Sequence, residues 1–509
     1  MASFIFTIIK RYGSLTVNRF AVRPFCTESP TGNRRRSRKN LFSRISPLGL
    51  PSISVVPVLD QWVQEGRSVP PQDLRTIVRE LRSRRRYKHA LEVSEWMSSK
   101  GRCTFTPADY AVQLDLIGKV SGLDSAESYF NSLSDEVKIH KLYGALLNCY
   151  VREGLIDKSL SHMQKMKELG FASSPLSYND IMCLYTQSGL LDKIPDVMTE
   201  MKKDGVKPDK FSYRVCINSY GLRSDLNRME KVLEEMESQS HISLDWSTYS
   251  MVANFYIKAG AREKALIFLK KCEELVDGDA LGYNHLISLH ASLGHKDQMI
   301  RLWGLQRARC KKQINRDYIT MLGLLVKLGE FEEAEVLLKG WESSHQFYDF
   351  RVPNILLLGY CGKGLIEKAE AMLRNIVERG RTPTPNSWAI IAAGYLNRQN
   401  METAFECMKE ALAVQAENKL WRPKAQVMSA ILGWLADNGD IEDVKAFVSS
   451  LRTVIPVNRD MYHALIKAHI RVEKEVNWVL ESMKNDYIDV NEETEKILSS
   501  RHESKTDMT

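Results

Sequence analysis

The sequence lacks the common signatures of a catalytic centre. It has no G-x-x-x-x-G-K-[ST] loop to cradle phosphates and no H-E-x-x-H pair to hold zinc. Its eleven histidines are dispersed, and its nine cysteines never fall into C-x-x-C. His290 and His295 are close in sequence, but no cysteine or second ligand pair accompanies them, so they read as helix-end histidines rather than metal ligands. The carboxylate pairs Glu234-Glu235 and Glu332-Glu333 read as solvated helix faces rather than acid/base pairs. No apolar run is long enough to cross a bilayer. An enzymatic role is not expected, and no cofactor, metal or membrane partner is implied. An odd cysteine count without framework spacing suits a reducing compartment.

Acidic residues are also missing from the first 27 positions. Ile5, Phe6, Ile8 and Ile9 supply an apolar face there, and Lys10, Arg11, Arg19 and Arg23 supply charge. Residues 1–26 therefore read as an organelle transit peptide. Arg23-Pro24-Phe25-Cys26 resembles a mitochondrial processing site, which favours the mitochondrial matrix over the plastid. The formal charge of +8 is largely a property of this end: residues 1–45 hold ten Lys/Arg and one acid, Glu28. From residue 103 onward the chain is slightly acidic. A general positive field does not hold a polyanion here, so any attraction must be local. Two runs could supply it: Arg34-Arg35-Arg36-Ser37-Arg38-Lys39 and Arg82-Ser83-Arg84-Arg85-Arg86-Tyr87-Lys88. Arg84, Arg85 and Arg86 are the candidate phosphate contacts.

The strongest positive signal is a period. Tyr143, Tyr178, Tyr213, Tyr249, Tyr283 and Tyr318 recur about every 35 residues, and eleven places further stand Gly154, Gly189, Ser224, Gly260, Gly294 and Gly329. Within one period, Tyr178, Ile181, Met182 and Tyr185 mark one face of a helix. Gly189 marks its end, and Ile194, Val197, Met198 and Met201 mark a second helix. Extending the frame through Leu74, Tyr110, Pro353, Trp388, Met428 and Tyr462 gives twelve units over 71–490. They follow a basic lead-in at 27–70 and precede a polar tail at 491–509. Ala90, Ala126, Ala265, Ala334, Ala369 and Ala404 stand sixteen places past their anchors, where a small residue lets helices approach. The step from Trp388 to Met428 is 40 residues, so a longer helix or a bulged loop is expected between Asn400 and Pro423. Such a unit cannot bury its stripe alone, so the expected fold is an all-α, right-handed superhelical solenoid of about twelve helix-turn-helix repeats.

The run Ser177-Tyr178-Asn179 … Gly189 … Met201 … Gly205-Val206-Lys207-Pro208-Asp209 resembles the pentatricopeptide repeat. The tetratricopeptide repeat has a similar period, but its Leu-Gly pair three residues past the anchor is absent at the corresponding place in the units from Tyr143 to Tyr318. The even spacing resembles the P class of plant organelle proteins. No H-x-E with a later C-x-x-C, as in the editing class, ends the chain. The resemblance implies binding of single-stranded RNA, one base per repeat. The residue after each anchor and the last residue of the unit would read the base edge. Asn179 with Asp209 resembles a uracil pair, Ser250 with Asp279 a guanine pair, and Ser429 with Asn458 an adenine pair. Asn354 with Thr384 leans to pyrimidine, and Asn284 faces Ile314, which leaves half a readout. Arg214 with Asp245, Ile319 with Asp349 and Ala389 with Lys424 match no rule. Leu176, Phe211 and Leu281 would pack on base faces. The plainer role of Asp209, Asp245 and Asp279 is to cap the next helix. The implied partners are organelle single-stranded or ribosomal RNA, with RNA-processing or ribosomal proteins. The action would be on transcript stability, processing or translation by occupancy. The rival reading is a protein-interaction scaffold associated with the mitochondrial ribosome.

Overall fold

The computed structural model describes residues 40–99, 103–345, 347–414 and 421–506. The expected transit peptide at 1–26 and the Arg34–Lys39 run lie outside them. All regular structure among the described residues is helical. The chain divides into two compact units, 1–215 and 216–509, within the helix Lys210–Leu222.

The first unit opens with two lead-in helices, Leu41–Ile45 and Val56–Gln64. They are more than a linker. Leu41, Ile45, Val55, Leu59 and Trp62 share one core with Leu74, Ile77, Val78 and Leu81 of the first repeat helix. Each such side chain contributes about 1.5–3 kcal/mol by leaving water. Helix pairs follow at Pro71–Ser83 and Tyr87–Ser98, Pro107–Val120 and Leu123–Ser132, His140–Arg152 and Ile156–Glu168, then Pro175–Gln187 and Ile194–Lys203. The second unit continues in the same manner from Leu226–Glu237, with the pairs Trp246–Lys258 and Arg262–Leu275, and Ala280–Ser292 and Lys296–Arg309, down to Arg459–Arg471 and Asn477–Asn485.

Repeat chemistry explains this regularity. The six tyrosine anchors are all buried, Tyr178 and Tyr283 at 1 % exposure. The six alanines sixteen places past the anchors are fully buried. Ser159 holds the same step in the repeat of Tyr143, and it is buried because its hydroxyl donates back to the Leu155 carbonyl at 2.7 Å. The turn residue eleven places past the anchor is left-handed in every one of the six repeats, from φ 60° at Ser224 to 88° at Gly329. Arg85, Gln399 and Glu473 take the same conformation at the same step elsewhere. A left-handed non-glycine residue costs about 1–2 kcal/mol, against about 0.5–1 kcal/mol of extra chain entropy for glycine. Ser224→Gly is therefore expected to stabilise by about 0.5 kcal/mol, and Gly189→Ala to destabilise by about 1 kcal/mol. Thermal melts of both variants check the two signs.

Three stretches depart from the regular pattern. Pro353 stands at an anchor, and with no N–H to donate it delays its helix, which runs only over Asn354–Gly362. The long step after Trp388 lies partly outside the described residues: Met401–Val414 is helical over 14 residues, and the next helix is Ala425–Asn438. The polar tail expected from 491 is helical over Glu492–Thr506. Its Thr494 is fully buried and its hydroxyl lies 2.9 Å from His463 Nε2.

Candidate nucleic-acid interface

The site residues sit at the junctions between repeats, at the start of each first helix. The last residue of one repeat is the N-cap of the next helix, where a side-chain oxygen satisfies an orphan amide. Asp209 Oδ1 accepts the Ser212 amide at 2.9 Å, Asp245 Oδ1 the Thr248 amide at 3.1 Å, and Asp279 Oδ1 the Leu281 amide at 2.9 Å. Asn458 caps Met461 at 3.2 Å. All three aspartates thus cap, as their plainer reading holds.

The pair Asn179 and Asp209 is also brought together. Asn179 Nδ2 donates to Asp209 Oδ1 at 3.2 Å, and Asn179 Oδ1 accepts from Ser212 Oγ at 2.7 Å. Asn179 is buried while Asp209 is exposed. Beside it, the half-buried Asp180 has its carboxyl pushed up to about 7 by desolvation, partly offset by a hydrogen bond from Asn148.

The other expected pairs fare differently. Asn284 does not face Ile314 alone: its Nδ2 donates to Asp317 Oδ1 at 2.7 Å, and Gln306 Nε2 donates to its Oδ1 at 3.3 Å. Ile314 points outward, 44 % exposed. Ser250 is buried, but Asp279 Oδ2 is held by Trp246 Nε1 at 2.9 Å. Asn354 is buried with an Oδ1 that has no hydrogen-bond partner, while the Thr384 hydroxyl lies 2.9 Å from Ser387 Oγ. Ser429 is exposed and donates to Asp460 rather than Asn458. Arg214 is half-buried, and its Nε has no hydrogen-bond partner. Asp349 accepts from Asn315 and from Arg351, and Ile319 is half-buried. Ala389 is half-buried and Lys424 exposed. Of the three base-packing candidates, Leu176 is 49 % exposed, and Phe211 and Leu281 are half-buried.

The basic run splits. Arg85 is exposed at its left-handed turn, and Arg84 is exposed with its guanidinium 4.9 Å from the Phe42 ring centroid. Arg86 faces inward. Its guanidinium donates to the carbonyls of Ser46 at 3.0 Å, Ile45 at 3.3 Å and Leu48, and it lies 3.1 Å from His89 Nδ1. Arg86 is a structural pin of the lead-in helix and is removed from the phosphate contacts.

A cation cluster in the first three repeats was not anticipated. Asp115 is buried, with Arg82 at 2.8 Å, Lys119 at 2.7 Å and Arg152 at 3.6 Å. One carboxylate faces three cations, and neither terminal nitrogen of Arg152 has a hydrogen-bond partner. Gly118 makes room for the cluster, because a Cβ there would lie 2.7 Å from Cys149 Sγ and 2.9 Å from Arg152 Nη2. A basic residue eight or nine places past three successive anchors was the available signal.

Comparison with known proteins agrees with this architecture. A model of the PPR repeat family matches residues 174–222, and a PPR repeat model matches 142–171, 211–241, 317–344 and 352–381. The chain is 48 % identical over 469 residues to a mitochondrial pentatricopeptide repeat-containing protein of Arabidopsis thaliana, covering 92 % of this chain and 95 % of that one. A second such mitochondrial protein of the same plant is 36 % identical over 413 residues, covering 81 % and 84 %. The large ribosomal subunit protein mL101 of Arabidopsis thaliana is 37 % identical over 461 residues, covering 90 % of this chain and 94 % of that one. With paired helices, left-handed turns and relatives aligned along nearly the whole length, the chain belongs to the pentatricopeptide repeat family.

Proposed function

We propose that this protein binds single-stranded RNA in mitochondria and acts by occupying it. The observation that carries the reading is the Asn179–Asp209 pair, a buried amide and an exposed carboxylate 3.2 Å apart at one repeat junction. An amide beside a carboxylate offers both a donor and an acceptor to a base edge. Asn354, buried and with an unpartnered Oδ1, stands in the equivalent place. Arg84, Arg85 and the Arg82–Lys119–Arg152 cluster supply sequence-independent attraction to phosphates. The relatives named as mitochondrial and the acid-poor amino terminus support the location.

A second reading is favoured by one relative. Similarity to a large ribosomal subunit protein over 90 % of the chain fits a ribosome-bound role in which ribosomal RNA is the partner. Crosslinking and sequencing of RNA bound to the mature protein separates the two. One sharp footprint on a transcript supports base readout, whereas ribosomal RNA recovered with ribosomal proteins supports the second reading. In the first case, Asn179→Ala with Asp209→Ser keeps a helix cap but removes the pair. Affinity for the footprint RNA is expected to fall about tenfold, with base preference lost at one nucleotide. Unchanged affinity and preference in a filter-binding titration would count against the assignment.

A further inference from the structure

In two repeats the residue three places before the anchor donates to the carboxylate at the end of its own repeat. In the repeat of Tyr249 that residue is Trp246, whose Nε1 donates to Asp279 Oδ2 at 2.9 Å. Asp279 Oδ1 accepts from the Leu281 amide, so both oxygens are engaged, and neither bonds to Ser250. In the repeat of Tyr318 the residue is Asn315. Its Nδ2 donates to Asp349 Oδ2 at 2.8 Å, and Trp341 Nε1 orients it by donating to its Oδ1 at 3.0 Å. In the repeat of Tyr178 the same place holds Pro175, which has no N–H and no side-chain donor. There the carboxylate of Asp209 bonds to Asn179 instead. In the repeat of Tyr249, Trp246 and Ser250 are thus two possible donors to one carboxylate, and Trp246 holds it.

We infer that the residue three before the anchor is a positioning residue that sets whether its repeat reads a base through the terminal carboxylate. Trp246 holds Asp279 closed, Asn315 together with Arg351 holds Asp349 closed, and Pro175 leaves Asp209 open. The inference rests on the RNA reading proposed above. An indole or amide N–H on a carboxylate is a charge-assisted bond, and a base must displace it to use that oxygen. Trp246 is itself held in place: its ring lies 5.3 Å from that of His285, and a Cβ added at Gly282 would come within 3.1 Å of it.

Trp246→Phe keeps the ring and removes the N–H. The test is equilibrium binding to a single-stranded RNA pool randomised at every position, with the bound fraction sequenced. Base preference at the nucleotide two positions from that read by Asn179 and Asp209 is expected to sharpen about tenfold. The gain should vanish in Trp246→Phe with Asp279→Ala. Pro175→Asn, which adds a donor, is expected to blunt preference at the Asn179–Asp209 nucleotide by a similar factor. If both variants leave preference unchanged while the parent still selects a base at the Asn179–Asp209 nucleotide, the positioning role is wrong and RNA reading stands. If the parent binds all sequences alike, both fall.

Discussion

Replacing Asp317 by alanine is expected to destabilise the protein by about 3 kcal/mol. Asp317 is fully buried, yet it is not isolated. Oδ1 takes the Asn284 amide at 2.7 Å, and Oδ2 takes the Ile314 N–H at 2.9 Å. Alanine would leave a buried amide and a helix N-terminal donor without partners, and each lost partner costs about 1–3 kcal/mol. Arg316 approaches only to 3.8 Å and is half-exposed, so its share is small. Asp317→Asn keeps one acceptor and should lose less than half as much. Repeat arrays unfold locally as well as globally, so the measurement is urea unfolding combined with amide hydrogen exchange across 284–328. A loss below about 0.5 kcal/mol in both would mean that water replaces the network at no cost.

The second large effect comes from space rather than polarity. Gly221 lies inside a helix, where a Cβ would fall 2.4 Å from two ring carbons of Phe255. Phe255 is 5 % exposed and cannot swing into solvent without vacating its place in the core. Gly221→Val is expected to cost about 2–3 kcal/mol and Gly221→Ala about 1–2 kcal/mol, as overpacking of a close-packed interior does. Thermal unfolding reads the loss. Adding Phe255→Leu to Gly221→Ala should recover part of it, because the smaller side chain withdraws from the new Cβ. A double variant no better than the single one would place the strain elsewhere.

Much of the architecture was legible because one residue in 35 repeats its environment. Tyr178 and its equivalents must be buried, Gly189 and its equivalents must turn left-handed, and Ala265 and its equivalents must be small. Each demand leaves a mark at a fixed step in the sequence. Partner choice between repeats leaves no such mark. Asn179 and Asn284 hold the same step, yet one turns to Asp209 and Ser212 and the other to Asp317 and Gln306. The difference comes from the residue just before the next anchor, serine in one case and aspartate in the other, about 33 positions away. Asp279 was expected either to read a base or to cap the helix that follows it, and it caps. Its other partner, Trp246, is a whole repeat upstream. Arg84, Arg85 and Arg86 were indistinguishable in the run, and only the path of the lead-in shows that the last of them turns to carbonyls. The helix over Glu492–Thr506 was hidden by its polar composition: of its described side chains only Thr494 and Ile497 are buried.

The pinning of the lead-in by Arg86 ties it to the first repeat. One guanidinium reaches carbonyls 40 and 41 residues upstream, so the lead-in helices and the first helix pair form a single cooperative element, and exchange of their amides with solvent should rise together rather than in sequence.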